Sequence, residues 1–226
     1  MILSKGRDDF LCGEFSRVRW SAPLLCTPSE FREYVSGLHV SGRTLASVHS
    51  VGGGLFFRRE WIEAAAAARM ECGGEEGIFE RIPSSMRFAR SASVSCPVSF
   101  RFEDGGSLDM QYCGVSKVRV AADTIKGDII CRSDPPNFDA SGLFGPLIGA
   151  RVSVLQADGS LRVSDGRGSE YSDGSLLISD VRLIFDDGRR IVFEYALDRM
   201  RLTLYEPDGE YSTIDFNSLV GILTDV

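Results

Sequence analysis

The chain has 226 residues, 43% of them hydrophobic and 25% charged, with a net charge of -7. That length buries a core without disulfide or metal staples, as one large domain or two small ones. The acidic balance argues against nucleic acid as the main partner, and no run approaches the ~18 uninterrupted apolar residues of a membrane span.

Met1 to Asp9 carries acids where a secretory leader needs an apolar run. Cys12, Cys26, Cys72, Cys96, Cys113 and Cys131 are dispersed, with no C-x-x-C pair. The chain therefore reads as a cytoplasmic protein with reduced thiols.

The first 26 residues have no firm period. Thr27-Pro28-Ser29-Glu30 is a helix start: Thr27 caps, Pro28 needs no N–H at the first position, and Glu30 completes a capping box. Phe31, Tyr34 and Val35 share a face, and Gly37 ends the helix. A strand follows over 42–49 and is broken by Gly52-Gly53-Gly54. The alanine-rich stretch from Arg59 to Cys72 predicts a second helix, stopped by Gly73-Gly74. Residues 75–93 read as an irregular connection.

From residue 94 the pattern is strand and turn. Val98, Phe100 and Phe102 point one way, and Leu108, Met110 and Tyr112 return on the same face after Asp104-Gly105. Val118 and Val120 suggest a third strand, and residues 132–146 form a loop. Further strands are expected at about 149–156, 160–164, 176–186, 190–196, 200–206 and 210–214. Asp158-Gly159, Asp187-Gly188 and Asp208-Gly209 supply turns.

Residues 94–112 echo residues 177–195 at a constant offset of 83: Val98, Phe102, Asp104, Gly105 and Tyr112 fall on Val181, Phe185, Asp187, Gly188 and Tyr195. Leu45 and Val48 fall on Val152 and Leu155 at an offset of 107. This predicts an internal duplication. The fold expected is α+β and predominantly antiparallel β: two related β-meander units packed with two helices. Residues 1–130 hold the first unit with an inserted helix at about 59–72. Residues 131–226 hold the second, and the two form one compact body. Ile184 and Val192 put apolar groups on both faces of the second hairpin, which predicts that this hairpin is central or covered and the first nearer an edge.

Motifs for chemistry are scarce. His39 and His49 are the two histidines; His49 with Cys26, or either with an acid, is the version of an assembled enzyme site the chain allows. No cofactor or metal is expected: metal-ligand spacings are missing, the acids before Gly159, Gly166 and Gly174 read as turn residues, and Gly52-Gly53-Gly54 matches no phosphate loop. Glu103-Asp104 and Asp186-Asp187 are hairpin-turn acids.

The candidate binding residues are Arg81, Arg87, Arg90 and Arg101, interleaved with Phe79 and Phe88 in an otherwise acidic chain. The functional expectation is a non-catalytic cytosolic protein that binds a small ligand or a protein, in the cleft between the repeats or on the 79–101 arginine segment. The alternatives are an enzyme assembled from distant Cys, His and acid residues, and a self-associating structural subunit built on open strand edges.

Overall fold

The computed structural model describes residues 22–50, 87–94, 97–124, 138–161, 163–164, 170–171, 176–196, 199–215 and 218–219. Among these, the α-helix with defined bounds is α1 (Pro28–Val35), and Ser218 and Leu219 are also helical. The helix expected at 59–72 lies outside the described residues. α1 starts as its sequence dictates. Thr27 Oγ1 accepts from the Glu30 N–H, and Glu30 Oε2 accepts from the N–H groups of Thr27 and Cys26 at 3.0 Å each. These backbone donors, Cys26 first, hold the Glu30 carboxyl below its ordinary pKa.

The strands are β1 (Leu45–Ser50), β2 (Arg87–Ala89), β3 (Ser91–Val94), β4 (Val98–Phe102), β5 (Ser107–Tyr112), β6 (Val118–Ala122) and β7 (Phe138–Asp139). A 3-10 turn at Gly145–Leu147 precedes β8 (Val152–Ser160), β9 (Val163–Ser164), β10 (Glu170–Tyr171), β11 (Leu177–Phe185), β12 (Arg190–Ala196), β13 (Arg199–Tyr205) and β14 (Thr213–Asp215). One five-stranded sheet has the order β6-β5-β4-β1-β7, and a second has the order β3-β13-β12-β11-β8. The pairings within both are antiparallel.

The two sheets share a register. Val98 lies opposite Met110 and Phe100 opposite Leu108; at the matching places Val181 lies opposite Phe193 and Leu183 opposite Ile191. The turns agree as well. Gly105 (φ 84°) and Gly188 (φ 87°) occupy the left-handed region, and each donates to the phenylalanine that ends the preceding strand. β1 on β4 and β8 on β11 carry the same irregularity, with Leu45 and Val152 opposite Phe102 and Phe185 on its near side. The fourth strands match too: Val118 faces Tyr112, and Met200 faces Tyr195.

The meanders join where β1 and β8 begin. Thr44 and Arg151 form an antiparallel bridge. Leu45 N donates to Ala150 O at 2.9 Å, and Val152 N to Arg43 O at 2.8 Å. Gly42 N donates to Val152 O, and Gly149 N to Leu45 O. Each bond has a counterpart in which the two segments exchange roles. From this junction the inner faces close on one hydrophobic core. Phe100 meets Phe193 edge to face at 5.5 Å, and Tyr112 donates its hydroxyl to Phe193 O.

Four expectations change. The connection at 75–93 is, over its described part, two short strands; β3 pairs with β13, while β7 pairs with β1. The chain thus crosses between the sheets on both sides of residue 130. Asp158-Gly159 is not a turn, because β8 continues through it, with a register irregularity opposite Ser179 of β11. A Cβ at Gly159 would come within 2.7 Å of Pro28 Cγ and Leu176 Cγ, so the glycine answers to the approach of α1. The two hairpins are also reversed in burial. β5 is buried along its whole length, whereas β11 alternates. Hydrogen bonds among polar side chains, rather than apolar composition, allow that burial. Last, the first hairpin occupies the interior of its sheet rather than an edge.

Candidate functional site

The four arginines singled out from the sequence are not brought to one place. Arg81 lies outside the described residues. Arg87 is exposed on β2, with Nη1 3.4 Å from Thr213 Oγ1. Arg90 is half-buried between β2 and β3 and serves the backbone. Its Nε donates to Thr213 O at 3.2 Å, and its Nη1 to Gly142 O at 3.3 Å and Leu143 O at 2.7 Å. Burial pushes its pKa below the ordinary arginine value, against the pull of Asp215 and Glu206. Arg101 sits on β4 in the other sheet, across from Ser47 and Ser107.

Arg101 belongs instead to a polar outer face on the first meander. Residues directly opposite in antiparallel strands share a face. One row runs Ser47, Arg101, Ser107; the next runs His49, Ser99, Asp109, Ala121, with Asp139 of β7 beyond His49. Ser99 and Asp109 are fully buried. Asp109 accepts from Ser99 Oγ at 2.7 Å, from Ser107 Oγ at 3.1 Å and from the Thr124 N–H at 2.9 Å. These donors satisfy oxygens that burial has stripped of water. His49 Nε2 lies 2.9 Å from Ser47 Oγ.

Serine, histidine and aspartate thus share one strand face, with the His49 imidazole on Ser47 rather than on Ser99. A triad places the imidazole between hydroxyl and carboxylate. Here Ser99 bonds Asp109 directly. Cys26 lies elsewhere, at the start of α1, where its carbonyl accepts from Ile178 N. His39 is exposed at φ 49° in the turn before β1.

The outer face of the second meander has the opposite character. Its first row runs Val154, Ile184, Arg190, Tyr205, with Tyr211 bridged to Tyr205. Val154 is 41% exposed and Tyr211 is 46% exposed. The Tyr205 and Tyr211 rings lie 5.0 Å apart, and the Arg190 guanidinium sits 5.4 Å from the Tyr205 centroid. Burial and the Tyr211 hydroxyl raise the Tyr205 pKa. A further row holds Asp158, Asp180, Glu194 and Arg201. Arg182, between the rows, pairs with Asp158 at 2.6 Å and Asp180 at 2.8 Å, and Arg201 pairs with Glu194 at 2.7 Å.

Sequence reading missed both faces as sites. The alternation of Ser47 with His49, and of Ser107, Asp109 and Gln111, is visible in the chain, but which strands lie side by side is not. Tyr205 and Tyr211 flank Asp208-Gly209, so the pair was accessible as the two arms of that turn.

Among the described residues no group of three His, Cys, Asp or Glu side chains is placed to hold a metal ion, and no helix is long and apolar enough to cross a membrane. Compared with protein-family models, with curated proteins and with solved structures, the chain matches none.

Proposed function

We propose that this chain is a non-catalytic cytosolic interaction protein, built from a duplicated β-meander, that docks its partner on the outer face of the second meander. The shared register of the two meanders and their reciprocal junction at Thr44 and Arg151 support the duplication. One observation carries the docking reading. The outer row that reads Ser47, Arg101, Ser107 in the first meander reads Val154, Ile184, Arg190 in the second. The core positions stay apolar in both. The outer faces diverge, one to a buried polar network and the other to a row in which Val154 and Tyr211 are exposed, Ile184 and Tyr205 are half-buried and Arg190 stands in the middle. Exposed apolar groups with a polar rim mark interaction surfaces.

Other versions of a binding reading draw less support. The seam between the meanders is filled by Phe100, Phe193, Phe185 and Leu183, all buried. Nε and Nη1 of Arg90 donate to backbone carbonyls.

The test replaces Val154 with glutamate and follows thermal melting. A docking face holds its side chains in water in the unbound protein, so Val154→Glu leaves the melting midpoint within a degree or two of wild type, as surface substitutions do. A midpoint lowered by roughly 5 °C or more would mean that the row is packed by the chain itself, and the docking reading would fall.

A further inference from the structure

We propose that Asp208 is the residue at which this chain turns spontaneously into isoaspartate, and that an arginine held on the carboxylate guards the other described aspartates that precede glycine. An aspartate–glycine bond is open to this change because glycine has no side chain to shield its nitrogen. The Gly209 nitrogen attacks Cγ of Asp208. A C–N bond forms, a carboxyl C–O bond breaks, and the hydroxyl leaves as water with the amide proton, which closes a succinimide ring. Water then adds to one of the two ring carbonyls. Opening at the former backbone carbonyl leaves the chain running through Cγ, so the net change is an isomerisation that needs no co-reactant but water.

Four described aspartates precede glycine: Asp104, Asp158, Asp187 and Asp208. Arginine holds three of them. Arg43 donates to both oxygens of Asp104, at 2.8 and 2.7 Å. Arg182 Nη2 lies 2.6 Å from Oδ2 of Asp158. Arg189 donates to Oδ2 of Asp187 through Nε at 2.8 Å and through Nη2. Among the described residues no arginine or lysine pairs with Asp208, and the neighbouring Arg190 lies over the Tyr205 ring instead.

The rest of the turn does not set Asp208 apart. Its Oδ1 accepts from the Glu210 N–H at 3.0 Å, as Asp104 accepts from Gly106 and Asp187 from Arg189 at the same distance. Gly105, Gly188 and Gly209 have φ of 84°, 87° and 95°, and each donates its N–H three residues back, to Phe102, Phe185 and Glu206. All three aspartates are exposed. One turn geometry is thus present twice with an arginine clamp and once without. Ring closure requires the carboxyl to swing from the N–H two residues on toward the nitrogen of the next residue. Guanidinium bonds oppose that swing at Asp104 and Asp187, and a single N–H opposes it at Asp208. The clamps also hold the carboxyls of Asp104 and Asp187 below the ordinary aspartate range, and the protonated form is the one that loses its hydroxyl as water. Two residues past the aspartate, where one turn has Arg189, the other has Glu210. The change would lengthen the main chain by one atom in the turn that spaces the Glu206 N–H to Glu210 O bond and holds Tyr211 beside Tyr205.

The experiment ages the full chain in mildly acidic buffer, well below its melting transition, and scores each aspartate–glycine peptide for isoaspartate by electron-transfer mass spectrometry. A second sample aged in guanidinium chloride gives the rate of each site without structure, and the folded rate is divided by it. Asp208 is expected to give a ratio at least about threefold above those of Asp104, Asp158 and Asp187, the scale on which an exposed ion pair restrains its carboxylate. Arg43→Met should raise the ratio at Asp104 alone, and Arg189→Met that at Asp187 alone, each by about threefold. Glu210→Arg, which puts an arginine where Arg189 stands in the matching turn, should lower the ratio at Asp208. A variant that unfolds would raise all four sites together, so loss of a clamp and loss of the fold read differently, and Glu210→Arg tests the guard without removing an arginine. An Asp208 ratio no higher than those of the clamped aspartates, or folded variants in which neither Asp104 nor Asp187 responds to its own arginine, would overturn the assignment.

Discussion

Arg43 clamps Asp104 across the first hairpin turn. Its Nε donates to Oδ2 at 2.8 Å and its Nη2 to Oδ1 at 2.7 Å, while the guanidinium lies 4.3 Å from the centre of the Phe102 ring. The turn of the second meander holds Asp187 by other means. There the arginine is Arg189, two residues further along the same turn, and the position matching Arg43 is Ala150. The position matching Arg189 is Gly106, where a Cβ would fall 1.7 Å from Arg43 Nη2. Each turn thus keeps one arginine on its aspartate, and whichever site supplies it, the other is small.

The Arg43 bonds hold the Asp104 carboxyl down to about 2. Removing the guanidinium with Arg43→Met should return that pKa toward the ordinary aspartate value, read by NMR titration. Gly106→Ala should raise it too, because the new methyl displaces Nη2. A depressed folded pKa contributes stability above the unfolded value near 4, and that contribution fades as pH falls toward 2. Arg43→Met should therefore flatten the loss of stability between about pH 4 and pH 2. Asp104 is exposed, so the effect is one of slope rather than of large magnitude. An unchanged Asp104 titration in both variants would refute the clamp.

Gly159→Ala should destabilise the protein by about 1–3 kcal/mol, the range for overpacking a tight site. Its methyl would meet Pro28 at the start of α1, Leu176 and the Leu177 carbonyl. Pro28→Ala in the same chain should recover part of the loss, since it withdraws one of these neighbours. Urea unfolding of the single and double variants measures both. If Gly159→Ala is neutral, the glycine answers to something other than the helix.

This glycine also marks where reading the chain stops. The capping box at Thr27 and the turns at Asp104-Gly105, Asp187-Gly188 and Asp208-Gly209 were legible because their causes lie within four residues. The matched registers were legible in part, because period-two alternation survives in Val98, Phe100 and Phe102 and again in Val181, Leu183 and Phe185. Asp158-Gly159 carries the same dipeptide with the opposite meaning, since its cause is Pro28, far away in the chain. The burial of Asp109 was hidden for a related reason: among the described residues, donors reach it from β4, from the start of its own strand and from the loop after β6. The outer row of Val154, Ile184, Arg190 and Tyr205 was hidden because it runs across four strands, and only their pairing assembles it.

Ser99 and Asp109 should behave as one unit. Ser99→Ala and Asp109→Asn each disturb a buried hydrogen bond at 2.7 Å and should cost about 1–3 kcal/mol apiece. The double variant should cost less than the two added, with a coupling of about 0.5–3 kcal/mol measured by chemical denaturation. Strict additivity would mean that the two groups do not depend on each other, and the account of why β5 is buried on both faces would fail.

Arg90 separates a structural cation from a ligand-binding one. Three backbone carbonyls, on Thr213, Gly142 and Leu143, accept from its guanidinium. Lysine cannot reproduce a planar fork that reaches two segments at once. Arg90→Lys should therefore lower stability by about 1–3 kcal/mol, as the carbonyls it leaves behind lose their donors. Added inorganic phosphate discriminates the two roles, because an anion that binds only the folded state raises the melting midpoint. If Arg90 is structural, phosphate should leave wild type and Arg90→Lys equally unmoved. If phosphate raises the wild-type midpoint and the Arg90→Lys variant loses that gain, the guanidinium holds anions in spite of its carbonyl bonds. The site would then move from the second meander to the junction of β2 and β3.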